Sequence, residues 1–345
     1  MQSLYLKMNK KILIVGPAWV GDMVMAQCLF KLLRQRDPTV LIDVLAPAWS
    51  LPLLARMPEV SSAIIMSLGH GQLGLLERFR LGKRLRANKY DQAIVLPNSF
   101  KSALALWWAK IPRRTGWRGE IRFIVLNDVR HLDKLRYPLM IERFMALGLE
   151  CNETLPSVYP LPELQISLAS QTAALERHQL TYPTHPVLAL CPGAEFGPAK
   201  QWPEEYYAEV ANAKLKEGWQ VWIFGSPKDN VTAERIMQLT AHRAINLAGK
   251  TKLEEAVDLL SLASVIVSND SGLMHIGAAL HKPLVAIYGP TSASFTPPLH
   301  KEAKILTLKL DCQPCFQRTC PLQHHRCMRE LTVGTVLNAM TELGV

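Results

Sequence analysis

The sequence predicts an α/β protein of two successive doubly wound domains facing each other across a cleft. Three observations carry that reading. Short, near-continuous apolar runs alternate with helix-like stretches, the pattern of a parallel sheet covered on both faces. The alternation stops between Cys151 and Pro186, where five prolines fall, and then begins again. A length of 345 residues suits two domains of roughly 150 each.

In the first set, Lys11–Gly16, Val40–Leu45, Ala63–Ser67 and Asp91–Leu96 read as strands. Asp22–Arg36, Gln72–Ala87, Ser99–Ala109 and Tyr137–Leu149 read as helices. The first of these places Val24, Met25, Cys28, Leu29, Leu32 and Leu33 on one side. Gln165–Gln179 is a helical stretch ahead of a linker near Thr181–Pro186, which divides the chain into residues 1–182 and 183–345. In the second set the strands are Pro186–Leu190, Gln220–Phe224, Ile245–Leu247, Val265–Ser268 and Leu284–Tyr288. Trp202–Glu217, Val231–Thr240, Leu253–Ala263 and Gly272–His281 are the helices between them, and Thr332–Leu343 is a terminal helix. Such sheets bind ligands at the carboxyl ends of their strands.

Composition narrows the function. With 49% hydrophobic and 20% charged residues the chain can bury sizeable cores, which excludes a disordered protein. No run reaches the ~18 apolar residues of a membrane span, and Met1–Lys11 lacks the apolar stretch of a secretory signal. The cytoplasm is the expected compartment. The formal charge is +10, and Glu77–Arg136 alone holds fifteen Lys/Arg against five Asp/Glu. The whole excess lies there, with Arg113 and Arg114 at its centre. Either solvated helix faces or an anionic partner would account for it. Trp107 and Trp108 sit in the apolar run Ala103–Ala109 and read as core, so aromatic stacking on nucleic acid is not expected.

Chemistry is expected where strands run into glycine-bearing loops. The first strand leads into Gly16-Pro-Ala-Trp-Val-Gly21-Asp22. The glycine spacing is not the dinucleotide fingerprint, which disfavours a nicotinamide enzyme. Gly21 allows close approach of a substrate to the backbone. Asp22 reads as a helix N-cap or as a catalytic carboxylate. The second domain opens with Cys191-Pro-Gly-Ala-Glu-Phe-Gly-Pro-Ala-Lys200-Gln-Trp-Pro203, a loop whose N–H groups and single lysine suit a phosphate. Val265–Ser268 runs into Asn269-Asp-Ser-Gly-Leu-Met-His275, where a helix N-terminus suits a diphosphate and Asp270 a sugar hydroxyl or a cap. Tyr288-Gly-Pro-Thr-Ser292 is a third such turn. Three loops on one sheet edge point to a nucleotide diphosphate.

Gly21-Asp22, Pro192–Pro203, Asn269–His275 and Tyr288-Gly-Pro-Thr291 together resemble the family 9 glycosyltransferases. Ala46-Pro-Ala-Trp49, Leu96–Ser102 and Arg114–Gly119 extend the resemblance over nearly the whole chain. It implies a GT-B architecture of two Rossmann-like domains, the first on the acceptor side and the second binding ADP-heptose. It also implies an inverting transfer of L-glycero-D-manno-heptose to the first heptose of the lipopolysaccharide inner core. A lipid A–core acceptor implies peripheral placement at the cytoplasmic face of the inner membrane. Carried over by motif, Asp22 is the base and Lys200, Ser271 and Gly272 contact the diphosphate. Asp270 and His275 line the donor site, with Gly193 and Ala194 as further substrate contacts. No Asp-x-Asp clamp appears at these loops, so no metal cofactor is expected. A transferase with a different acceptor, or a nucleotide-sugar epimerase of the same architecture, is the alternative.

Cys312-x2-Cys315-x4-Cys320-x6-Cys327, with His324 and His325 inside it, stands apart. The spacing is not that of a zinc ribbon. A structural metal, reduced thiols or a redox pair would each account for it.

Overall fold

A computed structural model describes residues 9–68 and 72–345. Its compact units are Met1–Leu161 and Pro162–Val345. In the first, the elements run β1 (Lys11–Val15), α1 (Val20–Arg36), β2 (Leu41–Ala46), α2 (Leu51–Leu54), β3 (Ser62–Ile65) and α3 (Leu75–Leu85). They continue as β4 (Gln92–Val95), α4 (Phe100–Trp108), β5 (Arg113–Trp117), β6 (Asp128–Arg130) and α5 (Met140–Gly148). The six strands form one parallel sheet in the order β3-β2-β1-β4-β5-β6. Central β1 is buried from Ile12 to Val15, which is why it reads as an unbroken apolar run.

The second unit begins with α6 (Leu168–Arg177), β7 (Val187–Cys191), α7 (Glu204–Lys216), β8 (Gln220–Ile223), α8 (Asn230–Leu239) and β9 (Ile245–Asn246). After these come α9 (Leu253–Leu260), β10 (Val265–Asn269), α10 (Gly272–Ala279), β11 (Leu284–Tyr288), β12 (Ala303–Thr307), α11 (Arg326–Arg329) and α12 (Val333–Glu342). Its parallel sheet runs β12-β11-β10-β7-β8-β9. Read from β9, this is the same winding as in the first unit, so each sheet reverses direction beside its first strand. Ligands of doubly wound sheets bind at that reversal, at the strands' carboxyl ends. In the second unit the flanking strands are β7 and β10, paired in register from Leu188↔Val265 to Cys191↔Ser268.

Four features differ from the sequence reading. β5 and β6 carry too much charge to be read as strands. Arg113 starts β5, and its guanidinium reaches Asp128 at 3.0 Å and Glu150 at 2.7 and 2.8 Å, partners far along the chain. β12 is an edge strand with half its residues toward solvent, which blurs the apolar pattern. The division between units falls at Leu161/Pro162 rather than at 182/183. α6 packs on α9, with Ser170 donating to Asp258 at 2.9 Å and His178 lying 3.0 Å from Glu255. Finally, Trp107 is exposed rather than core, whereas Trp108 packs edge-on against Phe79 at 5.7 Å.

Candidate active site

In the second unit, the loops leaving β7, β10 and β11 meet around one carboxylate. Lys200 ends a single 3-10 turn, Pro198–Lys200, and its ammonium donates to Asp270 Oδ2 at 2.6 Å and to the Asp270 carbonyl at 3.3 Å. The Thr291 hydroxyl, on the loop after β11, donates to the same Oδ2 at 2.6 Å. Both partners of the ion pair are largely shielded from water, Lys200 with 12% and Asp270 with 6% of its side chain exposed. An ammonium carries three N–H donors, and Asp270 takes two. The lysine is thereby aimed by a carboxylate and also lies over the Phe196 ring at 4.9 Å.

The asparagine before Asp270 sets the positions of these loops. Asn269 is fully buried. Its amide nitrogen donates to the Pro192 carbonyl at 2.6 Å, while Oδ1 accepts from the Trp202 N–H at 3.2 Å and the Tyr207 hydroxyl at 2.9 Å. A buried amide with its hydrogen bonds satisfied fixes the β7 and β10 exits relative to each other. Ser271 is the N-cap of α10, accepting from the Met274 N–H at 3.4 Å. Gly272 and Leu273 are the first two residues of that helix, whose N–H groups have no intrahelical partner and point where an anion binds. His275, one turn further, is buried. Burial pushes it down to about 4, with the Asp270 carboxylate pulling upward and Lys200 adding to the fall. It is therefore neutral at pH 7, a buried packing group rather than a cation facing phosphate.

Gly193 explains itself by proximity. A Cβ there would come within 2.5 Å of the Asp229 carboxylate, and Ala194 beside it is buried. Asp229 in turn accepts from the Ser226 N–H and hydroxyl, both at 2.7 Å, and so closes the turn before α8. Asp229 and Thr291 were not among the expected site residues. The signal for Asp229 was Ser226-x-x-Asp229, a capping box, and Thr291 lies in the glycine turn after β11.

In the first unit, the loop after β1 leads into α1, where Gly21 and Asp22 are the second and third residues. The N-cap position is Trp19, whose side chain makes no capping bond. Asp22 is therefore not the cap. It is half-buried in the first turn, where its charge lies along the helix dipole. On the same sheet edge, fully buried Arg122 donates to the carbonyls of Pro97 and Trp117 and to Asn98 Oδ1, joining the exits of β4 and β5. Glu120 accepts from the Phe100 N–H at 2.7 Å at the start of α4.

Three of the four clustered cysteines lie in the irregular segment between β12 and α11, and Cys327 lies on α11. Together with Ala199, Pro290 and His324 they line one cavity of about 20 Å³. Burial and the neighbouring thiols push Cys327 up to about 11. Among the described residues, no three His, Cys, Asp or Glu side chains stand ready as a metal-ligand set.

The family model for glycosyltransferase family 9 (heptosyltransferase) matches residues 78–326. Lipopolysaccharide heptosyltransferase 2 of Escherichia coli K12 is 47% identical over 342 residues, which is 96% of this chain and 98% of that protein. Lipooligosaccharide heptosyltransferase 2 of Haemophilus ducreyi is 51% identical over 310 residues, 86% of this chain and 88% of that one. The solved structure of E. coli ADP-heptose lps heptosyltransferase II matches with a TM-score of 0.86 at 45% identity, covering 96% of this chain and 98% of the other. Similarity of that depth over most of both chains means that this chain belongs to glycosyltransferase family 9, the heptosyltransferases, and has their GT-B fold.

Proposed function

We propose that this heptosyltransferase of lipopolysaccharide core synthesis moves L-glycero-D-manno-heptose from ADP-heptose to the first heptose of the inner core, with inversion. The observation that carries the donor side is the convergence of Lys200, Asp270, Thr291 and the start of α10 at the sheet reversal of the second unit. The E. coli relative, whose structure is named for ADP-heptose, supports that choice of donor. In the transfer, an acceptor hydroxyl oxygen attacks the anomeric carbon while the bond to the diphosphate breaks. The leaving ADP keeps the electron pair, and Asp22 takes the hydroxyl proton. The same division of labour operates in inverting glycosidases, where a carboxylate activates water from the opposite face. Lys200 and the helix N–H groups meet the charge that grows on the leaving phosphate.

The test is ADP release from ADP-heptose with a heptose-terminated acceptor. Release should require the acceptor. Conversion of the sugar without acceptor would instead establish an epimerase and overturn this reading.

Contact with the inner membrane is the second part of the proposal, and the structure moves its expected location. Arg113 is bound to Asp128 and Glu150, and Arg114 donates to the Val125 carbonyl at 2.7 Å, so both serve the fold. The exposed cations of the basic segment include Arg80, Lys83 and Arg84 on α3, closely followed by Arg86 and Lys89, with Lys110, Arg118, Lys134 and Arg136 further along. Leu73, Leu75 and Leu76, each about half exposed, stand at the start of that helix. Basic residues beside exposed leucines suit an anionic bilayer surface. Among the described residues no helix is long and apolar enough to cross a membrane. Neutralising Arg80, Lys83 and Arg84 with Gln should weaken binding to anionic vesicles roughly a hundredfold at low salt, at about 1 kcal/mol per cation lost. Undiminished sedimentation with those vesicles would remove α3 from the proposal.

A further inference from the structure

The cysteine loop holds none of the residues assigned to the proposed transfer, yet it is built against the loops that do. Its Gln313 side chain donates to the Gly289 carbonyl at 2.7 Å, and the Phe316 N–H donates to the Pro290 carbonyl at 2.8 Å. The Arg318 carbonyl accepts from the Ala199 N–H at 3.1 Å. A Cβ on Gly197 would lie 2.4 Å from that same carbonyl oxygen, so the two backbones touch. The loop therefore backs both the turn that ends in Lys200 and the turn that carries Thr291. It does so without regular secondary structure from Leu308 to His325, and most of its side chains face solvent. Long irregular segments inside a compact domain are uncommon, and a structural metal is one way such a segment holds a fixed form.

We propose that Cys312, Cys315, Cys320 and Cys327 bind one thiophilic divalent cation, Zn²⁺ or Fe²⁺, and that this ion braces the Lys200 and Thr291 turns from behind. All four side chains line the single cavity of about 20 Å³, a space the size of one water or one ion. Four thiolates are the donor set of tetrahedral zinc and of thiolate-bound iron. The thiols do not yet stand at ligating positions, so the ion draws them inward across that cavity. His324 also lines it, but its Nδ1 accepts from the Arg326 N–H at 3.0 Å. That bond occupies the Nδ1 lone pair and leaves the hydrogen on Nε2, so His324 is not counted among the ligands. Binding displaces up to four thiol protons and changes no oxidation state. The rim of the cavity is Ala199 and Pro290, each one residue from a donor residue, Lys200 and Thr291 respectively.

The full chain, purified without chelator, should carry about one equivalent of zinc or iron by elemental analysis, and the metal found distinguishes the two. Anaerobic apoprotein titrated with Co²⁺ should develop the visible bands of a tetrathiolate site, saturating at one equivalent. Cys312→Ser with Cys315→Ser should lose those bands, and Cys327→Ser alone should alter them if the double variant does not fold. Hydrogen exchange should slow on metal binding in peptides covering 196–201 and 289–292. This readout is independent of the proposed donor and acceptor. An apoprotein that develops no such bands, or whose bands survive both variants, overturns the site. Exchange unchanged in both peptides overturns the bracing role.

Discussion

Replacing Asp22 with Asn is expected to abolish most turnover while leaving the protein folded and its ADP-heptose affinity intact. In the proposed mechanism the base is the Asp22 carboxylate, which Asn cannot replace, and positioned bases of this kind contribute ~10²–10⁴-fold. The structure sharpens the test because Asp22 occupies the third position of α1 and not the cap. Its charge in the first turn interacts with the helix dipole for about 0.3–1 kcal/mol, and Asn keeps the size of the side chain and an acceptor oxygen, so the Asn variant should stay folded and melt somewhat earlier. Steady-state kinetics together with calorimetric ADP-heptose binding separate the two contributions. Near wild-type turnover by the Asn variant would assign the proton to another group.

Removing Lys200 is expected to act on both stability and chemistry, and the two can be resolved. Lys200→Met breaks a shielded ion pair and leaves Asp270 with the Thr291 hydroxyl as its side-chain donor. Breaking such pairs from one side typically costs about 3–5 kcal/mol. Lys200→Met combined with Asp270→Asn removes both charges and should recover much of that stability. Turnover should not recover. In the proposed mechanism the ammonium stabilises charge that grows as ADP leaves, and losing one such donor lowers kcat ~10²–10³-fold. The comparison to make is melting temperature against kcat across the single and double variants. A neutral pair that restores kcat along with stability would reduce Lys200 to a structural cation.

Much of this was legible in the amino-acid sequence because parallel strands buried on both faces must be apolar throughout. Ile12–Val15 and Val265–Ser268 therefore mark the centres of the two sheets, and the glycine-bearing segments after them mark the loops at the ligand edge. What stayed hidden depends on partners distant in sequence. Arg113 and Arg114 look like solvated charge until Asp128, Glu150 and the Val125 carbonyl are placed beside them. Lys200 and Asp270 are each readable as a phosphate lysine and a donor-site acid. That they hold each other across 70 residues is a property of the fold. Asn269 reads as the polar end of a strand, and only the structure brings Pro192, Trp202 and Tyr207 to its amide.

The docking of α6 on α9 bears on how this enzyme could be recombined with its relatives. The chain enters its second unit through a helix, before that unit's first strand. Gln171 bonds Ser261 at 2.7 Å, and Arg177 and His178 both hold Glu255. A chimera joined at the proline-rich stretch near residue 183 would pair α9 with a foreign helix and leave Glu255 facing unmatched partners. A junction at Leu161/Pro162 keeps helix and receptor face together. Exchange of the first unit is therefore a modular operation only when the cut precedes α6.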